Sequence, residues 1–480
     1  MSRFSPLLGF AFFACAAPHS NRTDTTGTHN PPPPVTSNGH DWPTFNFDAA
    51  RSGAFDAATG ITEANIATMQ RQQVTIDGTV DASAIYLHNV QVNGTAHDVF
   101  FVTTTYGKTL AIDANDGTIL WRFTPTSYSG LAGSARITNV TPVADPDRTA
   151  IYTASPDGNI EKLSVADGHA LWTTSITTLA QREKIASSLN YSGGHIIAVT
   201  GGYIGDAPPY QGHVSVLNAS NGQLLHTWNS LCSNRAGLMD PSSCAQSGSA
   251  IWGRAGALVD GSGNIYVATG NGLWDGATNW GDAFVKLDPT ASTILANYTP
   301  TNTANLEAGD TDVGSTSPVI LDATHVAQGG KDGTIRVLDL QALSGATAHK
   351  GGESQIVNTP GSRQLFSAPA VLHQGNTTFL FVADGGGTAA WTYSAGRLTT
   401  AWSNTQSGTS PVAAGGMLFV YDPGGSLRAY DPATGRTIAT LTAGSGHWNT
   451  PIVADGRIAL PQGSANDHST SDVFNIWRLP

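Results

Sequence analysis

One pattern recurs along the chain: a short alternating apolar run, a polar turn containing Gly, and a second short run that often carries Trp. It reads KTLAIDANDGTILWRF at residues 108–123, GNIEKLSVADGHALWTTSI at 158–176, GHVSVLNASNGQLLHTW at 212–228 and DAFVKLDPTASTILANY at 282–298. Further copies are GTIRVLDLQAL at 333–343, GTAAWTYSAGRLTTAW at 387–402 and GSLRAYDPATGRTIATL at 425–441, and the partial copy DVFNIWRLP ends the chain. In the first copy Leu110 and Ile112 alternate with Ala111 and Asp113, so one face of a strand can be buried. Asn115-Asp116-Gly117 then supplies a positive-φ hairpin turn, and Ile119 and Trp121 resume the alternation. Runs between the copies, such as AIYTAS at 150–155 and MLFVYD at 417–422, bring each unit to about four strands, and units start roughly 40–70 residues apart. This spacing predicts an all-β fold, a single propeller of about eight four-stranded blades with seven as the alternative, built as one large domain over residues 40–480. The terminal fragment lacks an outer strand, which MQRQQVTI at 69–76 would supply, pinning the two ends of the ring together.

Composition agrees with many short strands and tight turns: 54 of the 480 residues are Gly and only 12% are charged, too few helix formers for a bundle or coiled coil. The net charge of −12 excludes a nucleic-acid binder, whose affinity rests on Lys and Arg neutralising phosphates. The 14 His show no zinc-hydrolase spacing, and no nucleophile elbow, phosphate loop or haem-attachment motif is present.

The three cysteines form an odd set. Residues 1–18 read MSRFSPLLGFAFFACAAP, a single Arg followed by an apolar run from Leu7 to Ala14, too short to span a bilayer and suited to a signal segment. With Cys15 directly after the run, residues 1–15 resemble a bacterial lipoprotein signal; plain signal cleavage nearby is the alternative. Residues 16–39 are polar with Pro31 to Pro34, a disordered spacer. An exported protein is expected, periplasmic or on the cell surface, touching the membrane only through a lipid anchor at Cys15. Cys232 and Cys244, close together in one Gly/Ser-rich segment, are expected to pair in that oxidising compartment.

The repeats resemble those of the pyrroloquinoline-quinone (PQQ) enzyme-like propellers, whose signature is an apolar-Asp-x-x-x-Gly-x-x-x-Trp hairpin. Asp113, Gly117 and Trp121 fit it fully, Asp431 and Gly435 in part, and other copies carry Ser164, Asn218 or Tyr393 at the Asp position. The opening DWPTFNFDAARSG at 41–53 is similar to the first segment of secreted quinoproteins. SGSAIWGRAGALVDGSGNIYVATGNGLWDG at 247–276 is similar to a segment of quinoprotein alcohol dehydrogenases, and the resemblance implies Trp252 as the floor under the quinone and Asn271 as a Ca²⁺ ligand. By the same resemblance Asp312, in EAGDTDVG, is the catalytic base and a metal ligand, and Lys331, in GGKDG, contacts the quinone oxygens. The chemistry has a physical basis: a flat quinone stacks on an aromatic ring, Ca²⁺ takes oxygen ligands, and a carboxylate removes a hydroxyl proton. The family's glutamate ligand falls where this chain has TGGYIGDAPPYQG at 200–212, so Asp206 is the nearest substitute, and the family's adjacent-cysteine disulfide is absent.

On residue type alone each of these positions has a plainer role. Trp in a propeller docks one blade on the next, Asn-Gly marks a tight turn, Asp310 and Asp312 can bind nearby backbone amides, and Lys331 can be a solvated turn residue. Two functions therefore stand open: a PQQ- and calcium-dependent dehydrogenase of an alcohol or sugar-like substrate, or a non-catalytic cell-envelope scaffold binding other proteins.

Overall fold

The computed structural model describes residues 39–203, 206–464 and 471–480; the expected signal with Cys15, and the linker up to residue 38, lie outside them. Among the described residues eight blade sheets follow one another, seven of four antiparallel strands and one of five, besides one two-stranded sheet. The first blade comprises Ile85–Val92, Thr95–Thr103, Thr109–Asp113 and Ile119–Phe123. The seventh comprises Val412–Ala414, Met417–Asp422, Ser426–Tyr430 and Thr437–Thr442. The eighth has Ile452–Ala454, Arg457–Gln462 and Val473–Arg478 from the C-terminal end and takes its outer strand, Gln70–Thr75, from the N-terminal side. That outer strand pairs antiparallel from Gln70 with Arg478 to Thr75 with Val473. The ring is therefore an eight-bladed β-propeller closed by the expected strand.

The repeat signature has a mechanical meaning. In the first copy the Gly117 amide donates to Asp113 O at 2.9 Å and the Asp113 amide to Thr118 O at 2.8 Å, while Gly117 holds φ at 81°, where a side chain is strained. Trp121 Nε1 donates across the blade boundary to Val165 O at 2.9 Å. Its ring lies so close to the next blade's turn that a Cβ on Gly168 would fall 2.5 Å from it. Trp172 stands in the same way over Gly222, and Trp402 over Gly435. In these three turns the Gly thus makes room for the Trp of the blade before it. The apolar core accordingly lies between blades, as where Phe101 and Trp121 of the first pack with Ile151 and Leu163 of the second.

The segment from Trp42 to Thr59 plugs one end of the ring. It hydrogen-bonds to the blades in turn: Pro43 O accepts from Ala144, Ala49 O from Val259, Ser52 O from Val371, Gly53 O from Ala413 and Thr59 O from Gly456. Ala54–Phe55 adds a parallel strand to the inner edge of the seventh blade. Arg51, 1% exposed, forms no ion pair among the described residues and instead donates to Phe45 O at 2.7 Å and Leu189 O at 2.6 Å. Burial pushes its guanidinium down to about 9, with Asp48 opposing.

Candidate functional site

Strand alternation decides which loops meet. In a four-stranded antiparallel blade, the segment entering the innermost strand and the loop between the second and third strands leave the sheet at one end, opposite the Gly-turn hairpins. The segments before inner strands carry Lys184, Trp252, Arg254, Phe366 and Trp448, and second-to-third loops carry Asp206 and Lys331. All of these line one cavity of about 240 Å³, which is how residues nearly 270 positions apart become neighbours. A second cavity of about 650 Å³ adjoins it, sharing Phe366 and Trp448 as a wall.

Trp252 is held between two glycines. A Cβ on Gly201 would lie 3.3 Å from its Cε3, and one on Gly270 would lie 2.7 Å from its Nε1 and 2.8 Å from Asp312 Oδ2. Indole edge and carboxylate therefore meet over one stretch of bare backbone. Lys331 Nζ sits 2.8 Å from Asp312 Oδ1 and 2.7 Å from Asp310 Oδ1, and its own amide donates to Asp312 O at 2.9 Å. Asp312 is fully buried and its Oδ2 has no hydrogen-bond partner. Burial pushes its carboxyl up to about 6 even though Lys331 pulls the other way.

The structure brings Trp252, Asp206 and Lys331 to the same cavity; Asp312 does not line it and lies fully buried behind Lys331, to which it is paired. Asn271 is not part of that wall: its Nδ2 donates to Leu306 O at 3.2 Å. Asp206 is exposed, and partial burial of its carboxyl raises it against the pull of Lys331 and Lys184. The disulfide between Cys232 and Cys244 is formed.

Four further residues belong to the site and were not anticipated from the sequence. Asp282 is fully buried, accepts from the Val313 amide at 3.2 Å through Oδ1, and leaves Oδ2 without a partner. Burial, and then the nearby Asp312, push it up to about 8, so it carries its proton at neutral pH. Lys184 and Arg254 are buried cations on the cavity wall, and the Arg254 guanidinium lies 3.7 Å over the Trp448 ring. No local motif marks these positions, because each is defined by what the opposite blades bring to it.

The sequence model of the outer membrane protein assembly factor BamB family matches residues 53–282 and 381–471, about two thirds of the chain. The chain belongs to that family. No curated protein matches it. Among solved structures, this BamB-family chain is similar to a quinohemoprotein alcohol dehydrogenase from Comamonas testosteroni, at 16% identity over 92% of this chain and 81% of that one, with a TM-score of 0.66. A europium-containing methanol dehydrogenase matches at 14% identity over 92% and 98% of the two chains, with a TM-score of 0.66. BamB from Moraxella catarrhalis matches at 11% over 86% and 98%, with a TM-score of 0.54. At these identities the likeness is one of fold, shared by dehydrogenases and an assembly factor alike.

A planar anionic quinone fits the residues present: an indole floor, and cations at Lys184, Arg254 and Lys331 around one small cavity. Calcium does not fit the protein groups. Among the described residues no three His, Cys, Asp or Glu side chains gather as a metal cluster, Lys331 occupies one oxygen of Asp312, and the Asn271 amide is turned to Leu306.

Proposed function

We propose that the chain is an exported, lipid-anchored dehydrogenase of the quinoprotein type that oxidises an alcohol or sugar-like substrate. The observation that carries this reading is the Lys331–Asp312 ion pair beside the indole of Trp252, with Lys331 and Trp252 on the wall of an axial cavity. A quinone bound there would supply the two-electron acceptor. Trp252 would hold it by stacking. Lys331 would hold its Nζ donors toward a ligand oxygen while Asp310 and Asp312 fix the ammonium. Asp312, ionised above about pH 6, would take the substrate hydroxyl proton on Oδ2, the oxygen that has no other partner. Asp282, neutral at that pH, keeps a second negative charge away from the base.

The test is a titration of the purified protein with PQQ, followed by tryptophan fluorescence, and reduction of an artificial electron acceptor with a panel of alcohols and sugars. Saturable quenching that is lost in Trp252→Ala, together with alcohol-dependent dye reduction, is the expected result. If PQQ neither binds nor supports dye reduction, the dehydrogenase is refuted. The family match to an assembly factor then favours a non-catalytic envelope scaffold, in which the cavity end of the ring docks other proteins.

A further inference from the structure

We infer that Lys184 and Arg254 form an anion subsite in the axial cavity that receives a carboxylate group of the bound ligand. The inference deepens the proposed function, because it concerns the same cavity, but it does not require the ligand to be a quinone.

Backbone direction turns Lys184 toward the cavity. Glu183–Lys184 is a two-residue strand paired with Gly201–Gly202, and successive side chains of a strand point to opposite faces. Glu183 takes the inner face, where it is fully buried and held by the Gln211 amide at 3.0 Å and by His213 Nε2 at 3.2 Å. Lys184 is thereby turned to the cavity, with its neighbouring carboxylate already committed elsewhere. Among the described residues its Nζ makes one hydrogen bond, to Asn139 Oδ1 at 3.4 Å. Arg254, two residues from Trp252, lays the face of its guanidinium on Trp448, which leaves the N–H edge for a ligand. Among the described residues neither cation is within ion-pair distance of a carboxylate.

Buried cations without counter-ions are costly, and proteins otherwise pair them. Two acids act on these cations from a distance, Asp206 on Lys184 and Asp81 on both, and Asp81 is itself occupied. It accepts from Asn139 Nδ2 at 3.1 Å and the Trp448 amide at 3.2 Å, and it lies 2.9 Å from His447 Nδ1. Its charge offsets Arg254 and Lys184 from a distance, which leaves the two cations' own donors available on the cavity wall. A carboxylate suits them, since a guanidinium edge binds its two oxygens side by side and an ammonium can close over one of them. The carboxylate has two sources, a polycarboxylate cofactor such as PQQ or an acidic substrate such as a sugar acid.

The experiment is calorimetric binding of PQQ, gluconate, inorganic phosphate and neutral glucose to the whole protein and to its Lys184→Met and Arg254→Met variants, with circular dichroism checking the fold. The expected result is that PQQ or gluconate binds, and that each variant weakens that binding about tenfold or more, as for loss of a charge-assisted hydrogen bond. Runs at pH 8.5 in two buffers of different ionisation enthalpy provide a readout that a structural role would not move. Burial, and then Arg254, push Lys184 down to about 8, so a bound anion restores its proton, and proton uptake should appear in the wild type and vanish in Lys184→Met. PQQ binding with unchanged affinity in both variants overturns the subsite and leaves the quinone reading intact. Gluconate binding that depends on Lys184, without PQQ binding, keeps the subsite and removes the quinone. Binding of phosphate alone, or of neither anion, overturns the carboxylate assignment.

Discussion

Replacing Lys184 by Met offers a direct measure of what the empty-handed cation costs the fold. The ammonium, ordinarily near 10.5, is pushed down to about 8 by burial, which corresponds to a penalty of about 3 kcal/mol for holding it charged in the native state. The sign follows from proton counting. Below pH 8 both native and unfolded chains carry the proton, and the penalty is fully present. Between pH 8 and 10.5 the native lysine has lost its proton and the unfolded one has kept it, so the unfolded state binds more protons and stability rises with pH. Arg254, Asp81, Asp206, Lys331 and Asn139 face the same space, and the pull of Asp81 and Asp206 and the push of Arg254 on Lys184 are already contained in that shift. Lys184→Met should therefore be more stable than wild type by up to about 3 kcal/mol at pH 7, with the gap closing by about pH 10.5. Guanidinium unfolding followed by tryptophan fluorescence at pH 7, 8.5 and 10 measures that gap. A difference that does not change with pH refutes the reasoning.

Other parts of the structure make their own predictions. Gly168→Ala would place a methyl group 2.5 Å from the Trp121 ring at a φ of 75°; strain and overpacking together should cost about 3 kcal/mol in a denaturant melt. Asp312→Asn should retain PQQ binding and lose dye reduction by about 100-fold or more, and turnover at the wild-type rate would remove Asp312 as the base. Replacing both Cys232 and Cys244 by Ser opens a loop of 12 residues, costing about 3 kcal/mol locally; limited proteolysis should cut within residues 233–243 while the far-ultraviolet circular dichroism of the blades is unchanged. Arg51→Met should loosen the plug, seen as faster amide exchange at Ala144 and Val259, whose amides the plug binds.

The legible part of the fold is the part written locally. Alternation around Leu110 and Ile112, the Asn115-Asp116-Gly117 turn and the spacing of the copies specify hairpins, and the missing outer strand at the C-terminus points to residues 69–76. The Gly–Trp pairing between blades was only half legible: the sequence shows both residue types at regular positions, but Trp121 meets Gly168 of the next copy, not Gly117 of its own. The site was readable only where a short segment resembles known enzymes, as at Trp252, Asp312 and Lys331. Asn271 shows the limit of that approach, since its turn is present but its amide faces Leu306. Lys184, Arg254 and Asp282 stand in unremarkable local sequence, and their chemistry arises from burial and from neighbours supplied by distant blades. The plug is similarly hidden, because its hydrogen bonds are made by carbonyl groups, which carry no residue identity.

The strand that completes the ring has a consequence for how the molecule is made. Gln70–Thr75 emerges early in synthesis, while its partner Val473–Arg478 follows about 400 residues later, a delay of tens of seconds at ordinary elongation rates. Until then the outer strand of the eighth blade has no partner, because Ile452–Ala454, Arg457–Gln462 and Val473–Arg478 are made last. The order of synthesis therefore keeps the ring unclosed for that interval, and the latch is in place only when the last strand has been made.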